Sequence, residues 1–544
     1  MSPASRVLVV AVDGATFDLV TPWVEAGILP TIAGLLDGGV RARTRSTLPA
    51  LAPTSWTTAA TGCNPGQHGI FGFRRARCGG LDSIPVAPAD IRRPRVWEIA
   101  AQRGRRSIVL GAPLTYPPRG DVGLMVSGFL TPPGADDFVA PAGAAAELRR
   151  AVPGYRVDVN AASLRPGRLA ALRDDAVEVQ SLHAEAAAVL LGREEWDLAW
   201  VTFHVLDTVQ HLFWRFMDRG HPAWPGPGPF EHLVRDFYVS LDRTLARLLA
   251  QRGRETTVVL ASAYGAAPLH RYFCLLGWLR DEGFLHQHEE GTLRRGLRRL
   301  LPWGGRAGVP ARVTPFADVA DRIDWSRTRA YAPGGAGGGL WVNLKGREPQ
   351  GIVEPGRDYE ALVAELRRRL IAFRDPTTGE PVVTAVHRRE EIYHGPRTLA
   401  APDLILETAR TVCAVEGVGP SSLFAADGAA HERSGNHARD GMLVMHGEGL
   451  RAGLELCSVP VDDLAPTVLY LMGLPVDPHM DGRVLTEALD AERLARQPVE
   501  VGVPHADAWS GGATDGRLED GRLEDGPLEG GADLHDHLEG RVSA

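Results

Sequence analysis

The chain has 544 residues, of which 44% are hydrophobic and 23% charged, an ordinary balance for a globular protein that buries one large core with an insertion, or two domains. Its formal charge of −8 is unevenly spread: from Pro504 onward ten Asp and Glu face three Arg, which leaves the rest near neutral and without the basic footprint of a nucleic-acid binder. No apolar run reaches the roughly 18 residues of a membrane span, and Lys345 is the only lysine, so a GxxxxGK[ST] phosphate loop is excluded.

Val7–Val12 reads as a buried parallel strand stopped by Asp13-Gly14. It is too short for a signal peptide's apolar region, so the expected compartment is the cytoplasm. Thr21–Leu36 has helical spacing, Ser107–Ala112 is a second apolar strand, Ala170–Leu191 a helix and Leu198–Phe203 a third strand. Phe237–Gln251 is again helical, followed by strands at Thr256–Ser262 and Met442–His446. This alternation predicts an α/β fold with a largely parallel central sheet covered by helices on both faces. An Arg-, Gly- and Pro-rich stretch at about 275–345 interrupts it and is expected to be an inserted cap on a domain of residues 1–503. Residues 504–544 repeat Gly-Arg-Leu-Glu-Asp and hold too little apolar surface to offset ordering entropy, so a disordered acidic tail is expected. The five cysteines are scattered and lack CxxC spacing, which argues against a disulfide framework.

Asp207 and His211 stand four residues apart, a spacing that stacks both side chains on one helical face. By itself the pair fits a metal site or a capping Asp with a His packed beside Trp214. Colinear stretches extend the pattern: Val9-Val-Ala-Val-Asp13-Gly14; Pro53-Thr-Ser-Trp56 with Thr61-Gly-Cys-Asn-Pro65-Gly-Gln-His68-Gly69; and Met125-Val-Ser-Gly-Phe-Leu-Thr-Pro132. They continue with Leu206-Asp207-Thr-Val-Gln-His211-Leu-Phe-Trp214, Asn343-Leu-Lys-Gly-Arg347, Gly435-Asn-His437-Ala-Arg-Asp440-Gly441 and Ala465-Pro-Thr-Val-Leu-Tyr-Leu-Met-Gly473. Together they resemble the type I phosphodiesterase/nucleotide pyrophosphatase branch of the alkaline phosphatase superfamily.

The resemblance implies a two-metal scheme, with divalent ions flanking a Thr or Ser nucleophile that attacks phosphorus. It implies one complete site, Asp207, His211 and His437, for a divalent ion (zinc, with manganese or iron as alternatives). At the other site Asp13 is present. The nucleophile slot, however, falls on Ala52, and the expected Ser-Asp-His-Gly reads Ser262-Ala263-Tyr264-Gly265, so a second metal is doubtful. Asp13 and Tyr264 are candidate acid–base groups and Thr54 a displaced nucleophile, while His68, His204, His270 and His431 are further candidates that structural roles would equally explain. The expected activity is hydrolysis of a phosphoester or related small anion at one metal. A pseudoenzyme that binds a phosphorylated ligand or partner, and a single-metal enzyme of non-hydrolytic chemistry, are the alternatives. No nucleic acid or membrane partner is expected, and the oligomeric state is not readable.

Overall fold

The computed structural model describes residues 6–76, 83–193, 195–251, 253, 255–288, 322–332, 337–415, 424–425 and 433–502. Its central strand, β1 (Arg6–Val12), is buried at every position after Arg6. Val7, Val9 and Ala11 enter one hydrophobic core and Leu8, Val10 and Val12 another, on opposite sides of the sheet. Burial on both faces is why this run is continuously apolar rather than alternating.

Eight more strands complete the sheet: β2 (Val40–Ala42), β3 (Ser107–Leu110), β4 (Gly123–Val126), β5 (Val139–Ala140), β6 (Leu198–Phe203), β7 (Thr256–Ala261), β8 (Leu443–His446) and β9 (Leu454–Glu455). Their order is β9-β2-β8-β7-β1-β6-β3-β4-β5. The five strands from β7 to β4 run parallel. β5 joins one end antiparallel, and β8 pairs antiparallel with both β7 and β2. Helices α1 (Ala52–Thr61), Val96–Gln102 and Leu464–Leu471 cover one face. The other is covered by α2 (Leu169–Arg193), α3 (Val205–Met217) and α4 (Leu233–Gln251). The fold is therefore α/β with a largely parallel sheet and helices on both sides.

The helix expected at Thr21–Leu36 is two helices, Phe17–Glu25 and Pro30–Asp37, bent by 99°. Gly27, at φ +71°, takes the left-handed conformation that ends the first, and Pro30 opens the second, where its missing N–H costs nothing. Among the described residues no single helix is long and apolar enough to cross a membrane.

A second, four-stranded antiparallel sheet has its own core. Ala330–Tyr331, Gly339–Val342, Leu404–Thr408 and Val383–Arg388 lie in that order, and Leu362, Leu366 and Leu370 of helix Arg357–Ala372 pack with Trp278 and Phe284 in that core. The stretch at about 275–345 thus supplies one helix and two strands of a unit completed by residues 357–408; its residues 289–321 and 333–336 lie outside those described. Buried Asp403 ties the unit together: it accepts from Arg347 (2.8 and 2.7 Å), Tyr359 (2.9 Å) and the Val342 backbone (2.7 Å). The tail from 504 lies wholly outside the described residues.

Candidate metal centre

The neighbouring strands β7, β1 and β6 end level, with Ala11 opposite Ala261 and Val12 opposite Phe203. Their carboxyl ends deliver Ser262-Ala263-Tyr264, Asp13 and the start of α3 to one place, the usual ligand position on an open parallel sheet. Asp207 lies in the first turn of α3, where the helix dipole favours a carboxylate, and His211 follows one turn later on the same face. His437 comes from a two-stranded ribbon, Gly265–Pro268 with Gly435–Ala438, in which it pairs with Ala266.

One ligand atom from each of Asp207, His211 and His437 lies within 4.8 Å of the others. Nδ1 of His211 is 2.8 Å from the Gly435 carbonyl, and Nδ1 of His437 is 2.7 Å from the Ala50 carbonyl. A carbonyl only accepts, so each Nδ1 carries the hydrogen and, in a neutral ring, each Nε2 carries a lone pair. Burial, reinforced by the charge of Arg433 and opposed by Asp207, pushes the His211 pKa down to about 4, so its ring is neutral at pH 7. The two Nε2 atoms are 3.0 Å apart, and Asp207 oxygens approach each of them to 3.2 Å. Lone pairs converging on a carboxylate repel one another unless a cation lies among them. Two imidazoles and one carboxylate are also a ligand set suited to zinc or iron(II). The site fits a divalent ion.

Gly14, at φ +73°, permits this approach: a Cβ there would sit 2.5 Å from Nε2 of Gln210 and 3.2 Å from Oδ1 of Asp207. Gln210 in turn donates to the Gly14 carbonyl (3.1 Å) and accepts from the Tyr238 hydroxyl (3.2 Å), which fixes α3 against the β1 turn. Ser262 Oγ accepts from the Ala15 backbone at 3.1 Å and donates to the Tyr264 carbonyl, joining the β7 turn to the same place.

Asp13 is outside the group of three. Its buried carboxylate accepts the indole N–H of Trp56, a residue of α1. Fully buried Tyr264 neighbours both Asp13 and the group of three. Its ring centroid is 4.3 Å from that of His437, and burial together with the Asp13 and Asp207 charges pushes its hydroxyl well above the usual phenol range. Ala263 packs into the core, and Ala52 is the first residue of α1, just beyond the Ala50 carbonyl that holds His437. Thr54 is buried and its Oγ1 has no hydrogen-bond partner among the described residues.

The other histidines have surroundings of their own. His68 pairs with Thr58 Oγ1 at 2.8 Å and accepts from the Ile70 backbone, and burial pushes its pKa down to about 3. His204 lies 3.4 Å from Asp158 and packs between the rings of Phe129 and His183; His270 meets His221 edge to face. His431 is outside the described residues. Three residues at the centre escaped the sequence reading: Trp56 as the donor to Asp13, Gln210 as the brace of Asp207, and Arg433. Trp56 and Gln210 stand inside the quoted motifs, but no spacing rule gives them a partner.

The profile of the family described as type I phosphodiesterase/nucleotide pyrophosphatase matches residues 7–438. No curated protein matches the chain. Among solved structures, phosphonoacetate hydrolase from Sinorhizobium meliloti 1021 in complex with phosphonoformate is similar at TM-score 0.53 and 17% identity, covering 86% of this chain and 95% of that one. The same hydrolase in complex with phosphonoacetate is similar at TM-score 0.51 and 18% identity, with the same coverage. Murine ectonucleotide pyrophosphatase/phosphodiesterase 5, an inactive form in complex with AMP, follows at TM-score 0.47 and 14% identity, covering 89% of this chain and 100% of that one. At these identities the likeness to the hydrolase speaks for the fold. The family match spans most of the chain, and by it this protein belongs to the type I phosphodiesterase/nucleotide pyrophosphatase family of the alkaline phosphatase superfamily.

Proposed function

We propose that this protein is a one-metal hydrolase of small phosphoester or related phosphorus oxyanion substrates, with Asp207, His211 and His437 as its metal ligands. The observation that carries the reading is the pair of backbone-anchored imidazoles whose Nε2 atoms lie 3.0 Å apart beside a carboxylate. A divalent ion bound there would supply Lewis acidity toward a phosphoryl oxygen. The chain's own part is orientation: the Gly435 and Ala50 carbonyls fix both tautomers, and Gln210 ties α3, which carries Asp207, to the Gly14 turn. Small substrates fit the family, and the structurally similar hydrolase is seen with phosphonoformate and phosphonoacetate.

In this reading the second cation of the superfamily scheme is missing. Trp56 donates to Asp13 and Tyr264 lies beside it, so these two side chains occupy the surroundings of the carboxylate. Ala52 offers no nucleophile, so the attacking oxygen comes from solvent or from the substrate. Tyr264, held protonated, is a hydrogen-bond donor and not a base. The same observation favours a second reading, a pseudoenzyme that binds a phosphorylated ligand without chemistry. Elemental analysis and a screen of phosphate mono- and diesters with zinc, manganese and iron(II) separate them. One equivalent of metal, lost in Asp207→Ala together with turnover, supports the hydrolase. Protein without stoichiometric metal sinks the hydrolase, and metal-dependent turnover of any ester sinks the binder.

A further inference from the structure

The His437 ring takes its orientation from a carbonyl far away in sequence. That carbonyl belongs to Ala50, in a strap of residues 46–51 that leads into α1. The strap starts close to His437, where the Ser46 N–H donates to the Arg439 carbonyl at 2.8 Å. It is then folded against α1, because the Ser55 hydroxyl meets those of Ser46 and Thr47, each at 2.9 Å. The unit built on the second sheet closes on it from elsewhere. Tyr393, which follows helix Arg389–Ile392 of that unit, is buried and donates its hydroxyl to the Leu48 carbonyl. Its ring lies 5.3 Å from that of Phe71 and packs with Ala401 and Ile405. Gly337, beside strand Gly339–Val342, lies against the next residues: a Cβ there would stand 3.0 Å from Pro49 and 3.1 Å from Leu51. The same unit also reaches the segment after His437, where Glu407 accepts from Arg439 at 2.6 Å and meets His387 at 2.9 Å.

We infer that Tyr393 is a positioning residue for the candidate metal centre. Its hydroxyl holds the Leu48 carbonyl, and with it the strap whose Ala50 carbonyl keeps the His437 hydrogen on Nδ1. A metal-ligating imidazole depends on the partner of its second nitrogen for both tautomer and ring orientation. Leu48 and Ala50 are two positions apart in one short strap, so slack at the first carbonyl displaces the second. His211 takes its partner from Gly435 and stands outside this path. The second sheet thereby takes part in the centre without supplying a ligand. The inference rests on the metal reading above, but the tautomer it concerns exists without a metal.

The test compares Tyr393→Phe with Tyr470→Phe in the full chain. Each change removes one buried hydroxyl that donates to a carbonyl. The first carbonyl is that of Leu48, and the second is that of Gln497, 2.7 Å from Tyr470 and outside the strap. Metal-free protein with isotope-labelled histidine nitrogens is read by NMR, and His437→Gln and His211→Gln assign the two rings. We expect the parent and Tyr470→Phe to hold both rings with the hydrogen on Nδ1. Tyr393→Phe should show His437 as a mixture of tautomers while His211 keeps the parent form; a damaged fold would disturb both. In calorimetry, Tyr393→Phe should bind zinc roughly 3- to 10-fold more weakly, because the partner of one ligand is loosened and not removed. Tyr470→Phe should match the parent. An unchanged His437 tautomer in Tyr393→Phe overturns the inference, as does an equal loss of zinc affinity in the two variants. If the parent binds no zinc, the metal reading fails, and the tautomer comparison still decides the role of Tyr393.

Discussion

Replacing Gly14 by alanine tests whether the turn after β1 exists to let Asp207 reach its position. Gly27 is the control, because both glycines sit at nearly the same backbone angle, φ +73° and +71°. An alanine in the left-handed region costs about 1–2 kcal/mol in either place. At Gly27 nothing among the described residues lies within 4 Å of the new methyl, so that is the whole cost. At Gly14 the methyl would meet Gln210 Nε2 at 2.5 Å, and no Cβ sits so close to nitrogen, so the amide must withdraw. Its bond to the Gly14 carbonyl then breaks and leaves a buried donor unsatisfied, which adds about 1–3 kcal/mol. The methyl also stands 3.2 Å from Asp207 Oδ1, and shifting a ligand's support lowers metal affinity by roughly 10- to 100-fold. Zinc titration calorimetry and thermal denaturation of both variants read the two effects. Gly27→Ala should lose a little stability and no zinc affinity, while Gly14→Ala loses more stability and at least about 10-fold in zinc affinity. Equal zinc affinities in the two variants would refute the role given to Gly14.

Three further expectations follow from the geometry. His68 and His183 are buried, and burial pushes each pKa from 6.5 to about 3. The unfolded chain therefore takes up protons that the folded chain refuses. Stability falls as pH drops from 6.5 toward 3, by about 1.4 kcal/mol per pH unit for each histidine. His68→Gln should make denaturation measured between pH 6.5 and 5 less acid-sensitive by about 2 kcal/mol, and an unchanged slope counts against the assignment. Asp403→Asn strands arginines that converge on a fully buried carboxylate, so it should cost about 3–5 kcal/mol while zinc stoichiometry is unchanged. Breaking the exposed Lys345–Glu354 pair by Glu354→Gln should cost less than about 1 kcal/mol; similar losses in denaturation would contradict the distinction. Finally, the triple change Ala52→Thr, Ala263→Asp and Tyr264→His should add a second equivalent of metal and raise phosphodiester hydrolysis beyond the product of the separate gains, because such groups act as a unit. Activity restored by Ala52→Thr alone would show that Ala263 and Tyr264 are not the missing metal positions.

What local spacing encodes was readable from the chain alone. Val7–Val12 is apolar at every position because both of its faces are buried, and Asp207 and His211 share a face because four residues make about one helical turn. The runs at 198–203 and 256–261 follow the same logic, and the colinear motifs carried the family. The break between Phe17–Glu25 and Pro30–Asp37 was marked by Gly27 and Pro30, but the apolar period runs through both helices and hides it. Other features depend on contacts that no local pattern specifies. The apolar content of Leu443–His446 is the same whether it lies parallel or antiparallel, and only the path of the preceding chain made it antiparallel to Thr256–Ala261. The carboxylate of Asp403 became the hub of a second sheet because strands and loops far apart in sequence converge on it. At the candidate metal centre, the sequence supplied the three candidate ligands. Tertiary structure decided that His437 meets His211 at 3.0 Å, that carbonyls of Ala50 and Gly435 fix both tautomers, and that Tyr264 stands beside Asp13. Those contacts join residues separated by more than 200 positions, and side-chain periodicity fixes which face a residue takes but not which distant segment will meet it.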